Sequence, residues 1–427
     1  MARKEKYITN GIKIGLPASL EYAEGPFMKD VDGNVYLDFT SGIGVHNCGH
    51  RPAAMVKACQ DQLDKFIHIC FMVSPYESYI KLAEELSKIC PGKLTKSIFL
   101  NSGSEAIENA VKIARAYTKK KWIMSYRTAF HGRTFLDISL TGKEKPYREG
   151  FGPLVPYIQH VEYAYCYRCP LCLEYPSCGI ACAETIRTVM ETKPLENDVC
   201  CLVAEPVQGE GGFINPPPGY WEKIRKICDD NSALLIDDEV QTGFGRTGKM
   251  FAIEHWKCVP DMLITGKGLS LGMPLGGVTG RDDIMSAPGP ASLGGTFGGN
   301  PVCCAGAIES IKLTKKALPN TKMINKVETK RLNEWKEQYE VVGDVRGLGA
   351  MMGMELVKTK KGKEPVPELT RNIQLNCFKH GLYILAAGTY SNVIRLHPPL
   401  IIKQDLLVKG LDILESALKE ETKKAGL

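Results

Sequence analysis

One stretch, Leu234 to Gly268, limits what this chain can fold into more than any other: LLIDDEVQTGFGRTGKMFAIEHWKCVPDMLITGKG. Leu234, Leu235 and Ile236 predict a short buried strand, and the run stops abruptly at Asp237, Asp238 and Glu239. A Gly-rich loop follows (Gly243, Gly245, Gly248), then a second short strand, Met262 to Thr265, and a lone lysine, Lys267, between Gly266 and Gly268. In an open α/β sheet, ligands bind at the carboxyl ends of the strands, so one carboxylate and one amine are delivered to the same crevice. Glycines on both sides of the lysine allow backbone and ligand to approach closely. The pair suits a lysine that forms a Schiff base with an aldehyde cofactor, with a carboxylate holding a protonated pyridine nitrogen. Taken singly, acidic strand ends and Gly-Lys-Gly loops are also ordinary solvated turns.

At 427 residues, with 44% hydrophobic and 24% charged content, the chain is long enough for a large core and two domains. The net charge of +6 comes from interleaved rather than segregated charges, which gives no sign of a nucleic-acid partner. The opening MARKEKYITN lacks the apolar core of a signal peptide, and no apolar run approaches the roughly twenty residues of a membrane span. A cytoplasmic protein with no membrane partner is expected.

Several motifs agree with the lysine stretch in type and in order. Asp238-Glu239-Val240-Gln241-Thr242-Gly243, Gly245-Arg246-Thr247-Gly248 and Thr265-Gly266-Lys267-Gly268 resemble the signature of class III pyridoxal-phosphate aminotransferases. Within that class the chain looks most like the 4-aminobutyrate aminotransferases. The resemblance implies an α/β chain of fold type I: a large domain with a mixed, mostly parallel sheet and a smaller α+β domain. It also implies pyridoxal 5′-phosphate as cofactor, Lys267 as the Schiff-base lysine and Asp238 as partner of the ring nitrogen. Val240 would pack on the ring and Gln241 would reach its phenolic oxygen.

Upstream, the strand Ile98 to Leu100 runs into Asn101-Ser102-Gly103-Ser104 and an amphipathic helix. Such a helix start is an anion site, and Gly103 and Ser104 are read as holding the cofactor phosphate; helix capping by a serine is the plain alternative. In Ala129-Phe130-His131-Gly132-Arg133, the resemblance lays Phe130 against the ring and gives Arg133 the substrate's remote carboxylate, where the bland role is a surface salt bridge. It also has Ile43 touching the substrate's carbon chain, although read alone Ile43 is a core residue. Glu205, at the end of the strand Val199 to Ala204, would pair with Arg395 as a gate: neutralised, the arginine tolerates an amine donor, and released it binds the α-carboxylate of a keto acid. Thr296, in the Gly-rich loop Leu293 to Pro301, would cross to the phosphate of a second subunit, so a homodimer or higher homo-oligomer is expected.

The activity so implied moves the amino group of an ω-amino acid, 4-aminobutyrate first, to 2-oxoglutarate. Ornithine, acetylornithine or lysine as donor remain alternatives, as does an amino-acid racemase or epimerase on the same scaffold.

One segment departs from the family pattern. Cys166, Cys169, Cys172, Cys178 and Cys182 follow a C-x2-C-x2-C-x5-C-x3-C spacing, which reads as a zinc or iron–sulfur site or as a reduced surface loop. The domain reading is an arm over 1–50 packing with the small domain, a large cofactor domain over 51–305 with the Cys-rich insertion at 165–183, and a small domain over 306–427.

Overall fold

The two apolar runs of the Leu234–Gly268 stretch become neighbouring parallel strands in the middle of a seven-stranded sheet. The computed structural model describes residues 2–427. A first group of strands, β1 (Leu20–Glu24), β2 (Phe27–Asp30) and β3 (Val35–Asp38), precedes the large sheet. The large sheet is built from β4 (Lys96–Leu100), β5 (Trp122–Tyr126), β6 (Ile158–Val161), β7 (Val199–Ala204), β8 (Leu234–Asp238), β9 (Met262–Thr265) and β10 (Gly276–Gly280). Their order is β4-β10-β9-β8-β7-β5-β6. Strands β6, β5, β7, β8 and β9 run parallel, and β10 is inserted antiparallel between β4 and β9. The expected mixed, mostly parallel sheet is therefore present.

Side-chain alternation explains why so short a run as β8 is wholly apolar until its end. Leu235 belongs to the core on one face, with the helices Glu77–Ile89, Ala181–Met190 and Tyr220–Asp230. Leu234 and Ile236 face the other, against Ala106, Ile107, Ala110 and Ile113 of the helix Gly103–Thr118. Both faces are covered, so all five β8 residues are buried. A strand with no solvent face has its polar residues at its end, and here that end is the site.

The C-terminal third adds β11 (Val342–Leu348), β12 (Met351–Leu356), β13 (Leu382–Tyr383), β14 (Leu385–Ala387) and β15 (Val393–Leu396). Four of these form an antiparallel sheet in the order β11-β12-β15-β14, and β13 instead pairs parallel with β3. Leu37 and Phe39 share a core with Trp335, Leu382, Ile394 and Leu411, so the first residues of the chain pack with the last. The expected break at residue 305 falls inside one continuous helix, Pro301–Ala317, which packs on the helices Ala53–Leu63 and Glu77–Ile89. Asn300 caps that helix and Pro301 opens it, which sets its start ahead of the expected break. A helix over Pro367–Lys379 is a further element that the sequence reading passed over.

Arg246 ties these parts together. Its guanidinium is fully buried and donates to Asn47 Oδ1 at 2.7 Å, to Pro398 O at 2.7 Å and to Ala350 O at 3.1 Å. One side chain thus joins the loop after β8 to the N-terminal arm, the β11–β12 turn and the segment after β15. Removing it leaves buried acceptors unmet. Arg246→Met is expected to lower stability by about 3 kcal/mol, read by denaturant unfolding; a loss under about 0.5 kcal/mol would show that this connection is incidental.

Candidate active site

A cavity of ≈ 420 Å³ opens at the carboxyl ends of β8 and β9, within the size range of small-molecule sites. Among the residues that line it are Gly103, Ser104, Phe130, Arg133, Glu205, Glu210, Asp238, Val240, Gln241 and Lys267. Most of the non-cysteine residues singled out from the sequence converge here from five separate stretches of chain, Ile43, Thr296 and Arg395 lying outside the lining.

Lys267 sits just past β9 with φ +41°, a left-handed conformation uncommon for a residue with a side chain. Its glycine neighbours are required sterically: a Cβ on Gly268 would lie 2.6 Å from Asn47 Nδ2, and one on Gly266 3.3 Å from Val240 Cγ1. Burial lowers the pKa of Lys267 to about 8, with Arg395 acting in the same direction and Glu210, Asp238 and Glu205 opposing. A lysine of this kind is largely an uncharged amine at mildly alkaline pH, the form that attacks a carbonyl.

Asp238 is 4% exposed and held at both oxygens. His131 Nδ1 lies 2.7 Å from Oδ2, and the Val240 N–H donates to Oδ1 at 3.1 Å. Burial alone would push the His131 pKa down, but the hydrogen bond and charge of Asp238 outweigh it, so the imidazole is raised above its ordinary value. His131 lies within the motif that carries Phe130 and Arg133, yet the sequence reading gave it no role. A polar residue between an aromatic and a glycine in that motif was the available signal.

The arrangement fits pyridoxal phosphate. The Ser102 hydroxyl caps the helix Gly103–Thr118 at Glu105, which leaves the first N–H groups of that helix directed at the cavity. A Cβ on Gly103 would press on Val240 at 3.0 Å, so the glycine preserves a flat cleft beside Val240. Gln241 Oε1 is buried without a partner, an orphaned acceptor that a phenolic hydroxyl satisfies. Phe130 packs on Tyr147 at 4.9 Å between centroids, which closes the cleft on its other side.

Two expected placements differ. Glu205 does not reach Arg395. It is 5% exposed, accepts the Phe130 N–H at 2.9 Å and the Gly209 N–H at 2.8 Å, and burial raises its pKa to about 7. Arg395 pairs instead with Glu210, because the turn after β7 carries that residue across to the small sheet. There the Gly388 N–H holds the Glu210 carbonyl at 2.9 Å. An acid set inside the run Gly209-Glu210-Gly211-Gly212 was the cue that the sequence reading overlooked. Ile43 is 46% exposed and lies off the cavity lining, where Val45 stands in the wall. Thr296 is exposed and likewise outside the lining within a single chain. Arg133 does line the cavity, its guanidinium 5.0 Å over the Tyr147 ring.

The expected metal site is not supported. Among the described residues, no group of three or more His, Cys, Asp or Glu side chains is placed to hold a metal. Cys166 and Cys172 are exposed, and the chain at Cys172 turns with φ +54°. Burial and the neighbouring thiols raise the Cys182 pKa to about 11. The segment acts as a brace: Arg168 Nε bonds Glu355 at 2.6 Å, and Lys363 Nζ donates to Tyr167 O at 2.8 Å. It thereby ties the large sheet's surface to β12.

A fold of this kind with a buried lysine and an aspartate at adjacent strand ends defines a pyridoxal-phosphate enzyme. Residues 13–418 match the model of the class-III aminotransferases, and the chain belongs to that family. It is 42% identical to a 4-aminobutyrate aminotransferase of Mycobacterium leprae, over 96% of this chain and 93% of that one. It is 39% identical to a 4-aminobutyrate aminotransferase of Escherichia coli and 38% identical to a 5-aminovalerate aminotransferase of Pseudomonas aeruginosa, each over 98% of both chains. The structure of a transaminase from the marine bacterium Virgibacillus superposes with a TM-score of 0.92 at 28% identity, covering 99% of both chains.

Two outcomes follow for Lys267. Lys267→Ala is expected to lower turnover by about a hundred- to ten-thousandfold and to remove the visible absorbance of the bound cofactor. Because the native amine is neutral above its pKa, cofactor uptake by the apoprotein, followed by absorbance, should quicken with pH and level off above about 8. A pH-independent rate would contradict the assignment.

Proposed function

We propose that the chain is an ω-amino-acid aminotransferase that passes the amino group of 4-aminobutyrate, or of a chain one carbon longer, to 2-oxoglutarate in two half-reactions. The observation that carries this reading is the pairing of Glu210, in the wall of the cavity, with the buried Arg395. With Arg395 neutralised, no free cation awaits an α-carboxylate, and an amine donor whose carboxylate lies at its far end binds with that group on Arg133. With Arg395 released, the α-carboxylate of a keto acid takes the place of Glu210, and Arg133 keeps the remote carboxylate. One cavity serves two substrates that differ by one carboxylate. The names of the relatives, 4-aminobutyrate and 5-aminovalerate aminotransferase, support the same donor class. A racemase handles one amino acid at one carbon and has no use for such an exchange.

When bound, pyridoxal phosphate supplies the electron-accepting ring that makes the donor's carbon acidic. The chain does the rest. Lys267 Nζ would be the base that takes the proton from that carbon and would return it two atoms away, across the donor nitrogen. Asp238, fixed by His131, keeps a proton on the ring nitrogen. Gly103 and Ser104 hold the phosphate through the helix start, Val240 and Phe130 pack the ring, and Gln241 meets the phenolic oxygen.

The reading extends to a homodimer whose second subunit supplies Thr296 to the phosphate. In its support, Ile67, Met72, Val73 and Phe297 are exposed beside an apolar cavity lined by Met55, Val56 and Leu63, and Phe297 adjoins Thr296. No helix among the described residues is long and apolar enough to cross a membrane. The sixteen free cysteines suit the reducing cytoplasm.

Glu210→Ala tests the gate. The donor half-reaction with 4-aminobutyrate should slow by about tenfold or more, since an unmasked Arg395 attracts α-carboxylates, while the 2-oxoglutarate half-reaction is kept. Equal losses in both would remove the gate from the account.

A further inference from the structure

The inference rests on the gate just described and concerns what happens to Glu210 while Arg395 holds a keto acid. A carboxylate left without a partner in a closed pocket is strongly unfavourable. Glu210 therefore needs a second cation close by whenever Arg395 turns away. Burial pushes the Glu210 pKa up, but Arg395, Lys267 and Lys143 together hold it below its ordinary value. Of these, Arg395 is taken by the substrate, and Lys267, which must give up and take back protons during the reaction, cannot stand as a fixed cation. Lys143 remains.

Lys143 lies beyond the helix Phe135–Leu140 and is half-buried. Its Nζ donates to Gly388 O at 3.1 Å, and the same residue's N–H donates to Glu210 O at 2.9 Å. Gly388 thus holds the lysine on one side and the glutamate on the other. Only one of the three ammonium protons is used in this contact, and the four-carbon stem is free to swing the charge. The turn before it is fixed, since a Cβ on Gly142 would lie 1.9 Å from Arg127 O. The ammonium is therefore anchored through Gly388 to the backbone of Glu210, with donors to spare and its charge felt at the Glu210 carboxylate.

We propose that Lys143 is the standby partner of Glu210: it takes over the carboxylate when Arg395 turns to the α-carboxylate of the keto acid, and so sets acceptor affinity without touching substrate. Lys143 is a positioning residue that acts through Glu210. It favours the keto-acid arrangement and leaves binding of a monocarboxylate unaffected.

The test is binding of unreactive acids to the cofactor-loaded enzyme, followed by calorimetry. Glutarate carries two carboxylates and needs Arg395 released; valerate carries one and does not. In Lys143→Met, glutarate should bind about tenfold or more weakly, valerate within about twofold of wild type, and Lys143→Arg should restore glutarate binding. Glu210→Gln should tighten glutarate, and adding Lys143→Met to Glu210→Gln should change nothing further, because no carboxylate remains to be received. Unchanged glutarate affinity in Lys143→Met, parallel loss of glutarate and valerate, or an equal loss in the Glu210→Gln background would each overturn the proposal. If Glu210→Gln alone leaves glutarate affinity unchanged, the gate itself is wrong and this inference falls with it, a result separable from failure at Lys143.

Discussion

The ion pair between Glu210 and Arg395 is where the two halves of the molecule meet over the cavity. Glu210 comes from the turn after β7 of the large sheet, and Arg395 from β15 of the small one. Both are mostly removed from solvent, where separating unlike charges costs far more than it does at the surface. Their mutual neutralisation lets a guanidinium stand in a dry wall without seizing every carboxylate that enters. It also makes the position of the small sheet part of the site's chemistry. The brace formed by Arg168 and Lys363, and the buried Arg246, hold that sheet where Arg395 can reach across.

The properties of Lys267 depend on the same enclosure. Its amine is lowered toward neutrality by burial, and Arg395 adds to that effect while Glu210 and Asp238 resist it. Any movement that separates Arg395 from Glu210 thus alters the field at the catalytic nitrogen. Asp238 is held in place by His131, whose pKa the carboxylate raises. The aspartate and the helix start form the fixed part of the site, and the proposed Glu210–Arg395 gate its adjustable part.

Much of this was legible in the sequence because strands buried on both faces leave a simple trace. An apolar run that stops at acids marks a strand end, and Lys267 between two glycines marks a tight approach; the structure brings both to one cavity. What was not legible turned on the course of the chain after a strand. Glu205 and Glu210 stand five residues apart in one Gly-rich turn, and only the path of that turn, tied to Gly388, decides which reaches Arg395. The strand-end rule pointed to Glu205, and local backbone N–H groups had already claimed it. Ile43 shows the same limit: a left-handed turn at φ +67° takes its side chain off the lining, and no residue pattern announces that turn. The cysteine spacing suggested ligands, and packing did not gather them into a ligand set; the polar side chains of the segment clamp the small sheet instead.

The most direct test of the central claim, that one cavity takes an ω-amino donor and a keto acid in turn, is a stepwise absorbance titration of the cofactor-loaded protein. 4-Aminobutyrate added alone should convert the bound cofactor stoichiometrically from its aldehyde to its amine form, and 2-oxoglutarate added next should return it with release of one equivalent of glutamate. An unchanged spectrum with 4-aminobutyrate, together with loss of optical purity in an α-amino acid, would contradict the account.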